Sequence, residues 1–255
     1  LSQDLDGMRQ SLLFSALESI AYNLNRKNYN LNFYEFGKTY QIIKNQYIEN
    51  KKLILLACGN EKSESWNEKN NKKDFFWIKQ KVEHILNRLG LNDLKGKNID
   101  LSYLFNTYSY NFKKNRIADF GFVNKSILKV FGIKTDVLYA ELDWDLIVKN
   151  IKSKTKYSEV NKFPIVRRDL ALLIDKDIEF SKLKSIAKQT EKKLLKSVNL
   201  FDVYEGDKIP KNKKSYALSF TLEDKENTLT DLQIDYVMQK LINAYKQKIG
   251  AELRK

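Results

Sequence analysis

The densest grouping of side chains able to do chemistry is cationic. Arg167 and Arg168 stand together, and Lys208, Lys211, Lys213 and Lys214 crowd a short stretch just ahead of Tyr216. Cations interleaved with an aromatic suit a single-stranded nucleic-acid loop, because they offer phosphate neutralisation and a stacking plane. Two competing readings stay open. Tyr216 shares the large-residue face of its segment with Leu218 and Phe220, which favours core packing over stacking, and Arg168 can pair with a carboxylate across a sheet.

Other chemistry is excluded by spacing. The nine glycines never fall into the Gly-x-Gly-x-x-Gly pattern of a dinucleotide site, and no Gly-x-Ser-x-Gly elbow is present. From Gly90 to Lys97 the chain approaches a phosphate loop with one spacer too many, and Asn98 replaces the magnesium-binding hydroxyl. A helix stop followed by a turn is the better reading. Asp175, Asp177 and Glu179 have the spacing that opens a calcium loop, yet Phe180 replaces its Gly and Ile186 its closing Glu. Cys58, the single cysteine, sits in the apolar run Leu53 to Cys58 and reads as a small buried hydrophobe. His84, the single histidine, has no Cys or second His near it, so it faces solvent and builds neither a metal site nor a triad.

The chain has 255 residues, enough for two domains with cores of their own, and carries a formal charge of +14. A basic surplus suits an acidic partner such as RNA. Residues 162–255 carry 20 basic and 14 acidic groups, so neither half monopolises the excess, and a general richness in Lys and Asn accounts for part of it. No apolar run approaches the roughly twenty residues of a membrane span and no signal peptide is evident, which leads us to expect a soluble cytoplasmic protein with no membrane partner. The chain opens at Leu1 rather than Met and reads as a fragment.

The elements that must position these groups are clearest after Phe163. Thr230 can cap a helix with Gln233 returning the bond, while Leu229 and Ile234 occupy the staple positions. Ile234, Val237, Met238, Leu241, Ile242, Tyr245 and Ile249 then recur at helical spacing until Gly250, a left-handed cap. Burying seven such side chains contributes about 10–20 kcal/mol. Fixing the helix backbone costs about 1–2 kcal/mol per residue, so the stripe needs a sheet to lie on.

Tyr216 to Leu222 alternates large and small residues, a strand with one buried face. Arg168 to Ile174, Val198 to Tyr204 and Ala251 to Arg254 supply further strands, and Ser181 can cap a helix bearing Leu183, Ile186, Ala187, Thr190 and Leu194. The order is βαββαβ. With the helices on the large-residue face, the small face of Ser215, Ala217, Ser219 and Thr221 is left open to a partner.

Earlier in the chain, residues 8 to 25 predict an amphipathic helix, Leu31 to Phe36 a strand ending at Gly37, and Leu53 to Gly59 a buried strand. The polar loop from Asn60 to Lys73 contains Trp66, read as a lid folded back over the core rather than a base-stacking residue. Asp74 caps a helix carrying Phe75, Ile78, Val82, Ile85, Leu86 and Leu89. Strands near Ala118 to Val123 and Val137 to Leu142 flank a helix around Ser126 to Phe131. Lys149 to Lys162 reads as a linker, with domains at 1–156 and 157–255.

Five segments carry a family resemblance: Phe163-Pro164-Ile165-Val166-Arg167-Arg168-Asp169-Leu170, Phe201-Asp202-Val203-Tyr204-Glu205-Gly206, Lys214-Ser215-Tyr216-Ala217-Leu218, Thr228-Leu229-Thr230-Asp231 and Gly250-Ala251-Glu252-Leu253-Arg254. In this order they resemble the anticodon-binding domain of the bacterial phenylalanyl-tRNA synthetase beta chain. Met8-Arg9-Gln10-Ser11-Leu12-Leu13, Asn25-Arg26, Phe33-Tyr34-Glu35-Phe36-Gly37 and Tyr139-Ala140-Glu141-Leu142-Asp143-Trp144 resemble that chain's catalytic-like module. The resemblance implies an α+β chain: a class II synthetase-like antiparallel-sheet module followed by a ferredoxin-like anticodon-binding domain.

It also implies partners, namely phenylalanine tRNA and a catalytic alpha chain in an alpha2beta2 assembly. ATP and magnesium would serve the intact enzyme, with neither expected on this fragment. The arginines that grip ATP in active relatives have no counterpart, since Lys38-Thr39-Tyr40 follows Phe36-Gly37 and Tyr139 to Val148 holds neither Gly nor Arg. Two alternatives stay open: a free-standing RNA-binding or assembly protein built on a ferredoxin-like domain, and an active synthetase core with other ATP contacts.

Overall fold

The computed structural model describes residues 7–92, 94–151, 157 and 159–254. It divides into two compact units, Leu1–Lys156 and Tyr157–Lys255. The first holds α1 (Leu13–Leu24), β1 (Leu31–Ile43), β2 (Gln46–Cys58), α2 (Phe75–Arg88), β3 (Leu94–Asn98), β4 (Leu104–Phe112), β5 (Asn115–Val123), α3 (Lys125–Val130), β6 (Val137–Asp143) and α4 (Trp144–Asn150). Its six strands form one sheet in the order β1-β2-β6-β5-β4-β3, every pair antiparallel.

The sheet has a core on each face, α1 packing on one and α2 with α4 on the other. This is why β6 is apolar at consecutive positions: Val137 and Tyr139 enter one core, Leu138 and Ala140 the other. Asp74 caps α2, its carboxylate accepting the Trp77 N–H at 2.8 Å. Lys73 is buried, and its ammonium donates to the carbonyls of Leu31 at 3.2 Å and Cys58 at 2.7 Å. Burial pushes its pKa down, and it likewise pushes the Cys58 thiol up.

Several expectations are corrected here. The first helix starts at Leu13, because Ser11 accepts the Leu13 N–H and the preceding residues run alongside β1 instead. Gly37 does not end its strand; β1 continues to Ile43. A Cβ at Gly37 would lie 2.7 Å from the Arg9 guanidinium and 2.8 Å from Leu12, so the glycine makes room for that incoming segment. Residues 94–98 are a strand rather than a turn. Trp66 is 98% exposed and lids nothing.

The second unit holds β7 (Val166–Asp175), α5 (Phe180–Thr190), β8 (Leu195–Tyr204), β9 (Lys213–Leu222), α6 (Asp231–Ile249) and β10 (Glu252–Leu253). The sheet order is β10-β7-β9-β8, antiparallel throughout, the plan the sequence predicts. Leu172, Leu218, Phe220 and Leu222 pack against Leu183 of α5 and Ile234, Val237, Leu241 and Tyr245 of α6. Ser181 is not the cap of α5. Glu179 occupies that position without a capping bond, and the Ser181 hydroxyl donates to the Glu179 carboxylate at 3.1 Å.

On α6 every cue acts together. Thr230 and Gln233 form the reciprocal capping box, Leu229 and Ile234 are buried, and Gly250 takes φ of 62°. Thr230→Ala is therefore expected to cost about 0.5–2 kcal/mol of stability, read as a lower urea midpoint with an unchanged slope. Lys149 and Asn150 belong to α4 rather than to a linker; of the stretch that follows, residues 152–156 and 158 lie outside the described residues.

Candidate nucleic-acid interface

The sequence-predicted cations do not form one cluster. Lys208 and Lys211 are exposed on the loop between β8 and β9. Lys213 is committed to Glu252 at 2.6 Å, and that hydrogen bond holds the Glu252 carboxyl below its usual range. Lys214 is buried, donating to the Lys176 carbonyl at 2.8 Å and lying 4.6 Å from the centre of the Tyr216 ring. Tyr216 is 8% exposed and belongs to the core. Arg168 turns to the helical side of the sheet, where Asp231 at the start of α6 lies 3.7 Å away.

Arg167 differs. The register puts it opposite Thr221, on the face away from the helices. There it forks onto Asp169 at 2.9 and 3.2 Å and lies 5.4 Å from the centre of the Phe201 ring. The same face carries Tyr204, opposite Ser215, with the Arg254 guanidinium 4.6 Å from its ring centre. A Cβ at Gly206 would lie 2.7 Å from the Tyr204 hydroxyl, so the glycine leaves that ring its place. Between these groups run the small side chains of β9, of which Ser215 and Ser219 are buried and Ala217 and Thr221 half-buried, so the exposed part of this face is its aromatic rim rather than the small residues the sequence left open.

Sequence alternation missed Phe201 and Tyr204 for a physical reason. A bulge between Leu200 and Asp202 breaks the register, so the side-chain parity of β8 changes partway along. Phe201 is the extra residue and is half exposed. The visible clue was Tyr204 and Ser215 meeting across the strands, a large residue beside a small one.

Flat rings beside guanidinium groups suit unstacked bases. With that geometry in view, the relatives are informative. Residues 1–144 match the family described as phenylalanyl tRNA synthetase beta chain CLM domain. The chain belongs to the phenylalanyl-tRNA synthetase beta chain family. Residues 161–254 match the ferredoxin-fold anticodon binding domain.

The phenylalanine–tRNA ligase beta subunit of Bacteroides fragilis is 44% identical over 267 residues, covering 100% of this chain and 33% of the relative. That of Bacteroides thetaiotaomicron is 45% identical with the same coverage, and that of Thermotoga maritima 29% identical over 256 residues, 100% of this chain and 32% of its own. The chain thus spans about a third of the length of the curated relatives it matches.

In the first unit several cations are held by ion pairs within the chain. Lys38 pairs with Glu49 at 2.7 Å, Lys52 with Asp143 at 3.2 Å and Glu141 at 3.6 Å, and Arg9 with Glu35 at 2.8 Å. Arg116 and Asp119 form a further pair at 2.5 Å. These cations are matched by the protein's own carboxylates. Among the described residues no helix is long and apolar enough to cross a membrane.

Proposed function

We propose that this chain is the tRNA-positioning part of a phenylalanine–tRNA ligase beta subunit, a cytoplasmic enzyme that attaches phenylalanine to its tRNA. The second unit seats the anticodon loop on the open face of its sheet, while the first is a catalytically silent module that braces a catalytic alpha chain. In the whole enzyme ATP and magnesium would be held by that alpha chain. The observation that carries the RNA reading is the pairing of Phe201 with Arg167 and of Tyr204 with Arg254 on a face the helices leave uncovered. Lys208 and Lys211 add phosphate attraction at its margin, whereas Lys213, Lys214, Arg168 and Tyr216 act on folding.

The reading is tested by equilibrium binding of the purified chain to phenylalanine tRNA and to bulk tRNA. Preference for the former is expected. Equal affinity for both would favour a general RNA-binding protein instead.

A further inference from the structure

The two edges of the six-stranded sheet are built differently. β3 closes one of them with five residues and exposes Lys95 and Lys97, a short charged edge that resists pairing with a foreign strand. β1 closes the other with thirteen residues, and exposes Tyr34 and Phe36. Ile43 and Gln46 flank the two-residue loop of the β1–β2 hairpin, so odd-numbered residues of β1 bond to β2 and even-numbered ones direct their main-chain groups outward. The Tyr40 N–H bonds outward to the Arg9 carbonyl at 3.0 Å, and the Lys38 carbonyl accepts from the Arg9 side chain at 3.2 Å. That covers one end of the edge. Among the described residues nothing bonds the outward groups of Tyr34 and Phe36.

Beside this open stretch lies a slot of about 370 Å3, in which Tyr34 and Phe36 face Leu53, Leu55, Leu89 and Trp144. One rim residue is charged. Arg88 is exposed and makes no ion pair among the described residues. These features specify an occupant: the edge asks for an extended main chain, the slot for an apolar side chain, and the lone guanidinium for a carboxylate.

We propose that β1 takes up an extended segment of a protein partner as a seventh strand, its apolar side chain in the slot and an Asp or Glu side chain on Arg88. The site lies wholly in the first unit and does not depend on the RNA reading.

The probe is a short fluorescein-labelled peptide of alternating Thr and Val around a central Phe, with Glu two residues beyond the Phe on the same face. Its partner peptide carries Lys in place of that Glu. Saturable binding of the acidic peptide is expected, with the Lys peptide about tenfold or more weaker, the loss of one charge-assisted pair. Arg88→Glu should reverse that order, and N-methylation of alternate peptide amides should abolish binding while circular dichroism shows the protein still folded. Equal binding of both peptides, insensitivity to N-methylation, or no saturable binding would overturn the proposal. So would a concentration-dependent dimer of the chain that Phe36→Asp dissolves, since the occupant would then be a second copy.

Discussion

Replacing Phe201 and Tyr204 together by Ala is expected to weaken binding of the phenylalanine anticodon stem-loop by two orders of magnitude or more, while leaving its salt dependence almost unchanged. Stacking on an aromatic contributes about 1–3 kcal/mol per base, and about 1.4 kcal/mol is a factor of ten. The two rings lie on the same open face, each beside its own guanidinium. Arg254→Ala should show the complementary signature, flattening the slope of log affinity against log salt by up to about 0.7 per lost phosphate contact on single-stranded RNA, whereas Arg167→Ala should change it less because Asp169 already holds that guanidinium. Fluorescence anisotropy at several salt concentrations reads both quantities. Unchanged affinity in the double aromatic variant would remove the sheet face from the interface and return attention to Lys208 and Lys211.

Phe220→Ala should produce the largest loss of stability in the second unit, about 3–5 kcal/mol. Phe220 is fully buried in the central strand β9, between Arg168 of β7 and Val198 of β8, with its ring centre 6.3 Å from that of Tyr245. Truncation leaves a cavity where the sheet meets α6, and β9, hydrogen-bonded to a strand on each side, cannot shift to fill it. A domain holds about 5–15 kcal/mol in total, so this one change removes a large fraction. Phe220→Leu, which keeps most of the volume, should cost less than half as much. Urea unfolding followed by circular dichroism separates the two; equal midpoints would show that the core tolerates the void.

What could be read in advance follows from how many independent constraints act on a residue. On α6 the capping box, the staple, the apolar stripe and Gly250 agree, and β9 alternates cleanly because one of its faces is buried by helices. β4 was unreadable: Asn106 at φ of 48° and two register shifts against β5 break its period, and its tyrosines fall on positions that look polar and apolar by turns. Gly37 resembled a strand end because only tertiary contact with Arg9 and Leu12 explains it. The basic loop looked like a site because sequence counts charges without showing their partners; Glu252 and the Lys176 carbonyl had already claimed Lys213 and Lys214. The aromatic platform was hidden by the single extra residue at Phe201.

The closing strand β10 has two residues. A ribbon so brief is held by its neighbours: Glu252 through Lys213, and the Arg254 N–H through the Ala171 carbonyl at 3.0 Å. It works as a latch whose fastening carries a guanidinium to the side of Tyr204. Loosening it by high salt at the Lys213–Glu252 pair is expected to weaken the hold on that charge. On the proposed reading, the Lys213–Glu252 pair is thus a point where the hold on RNA can be adjusted at a distance from the rings themselves.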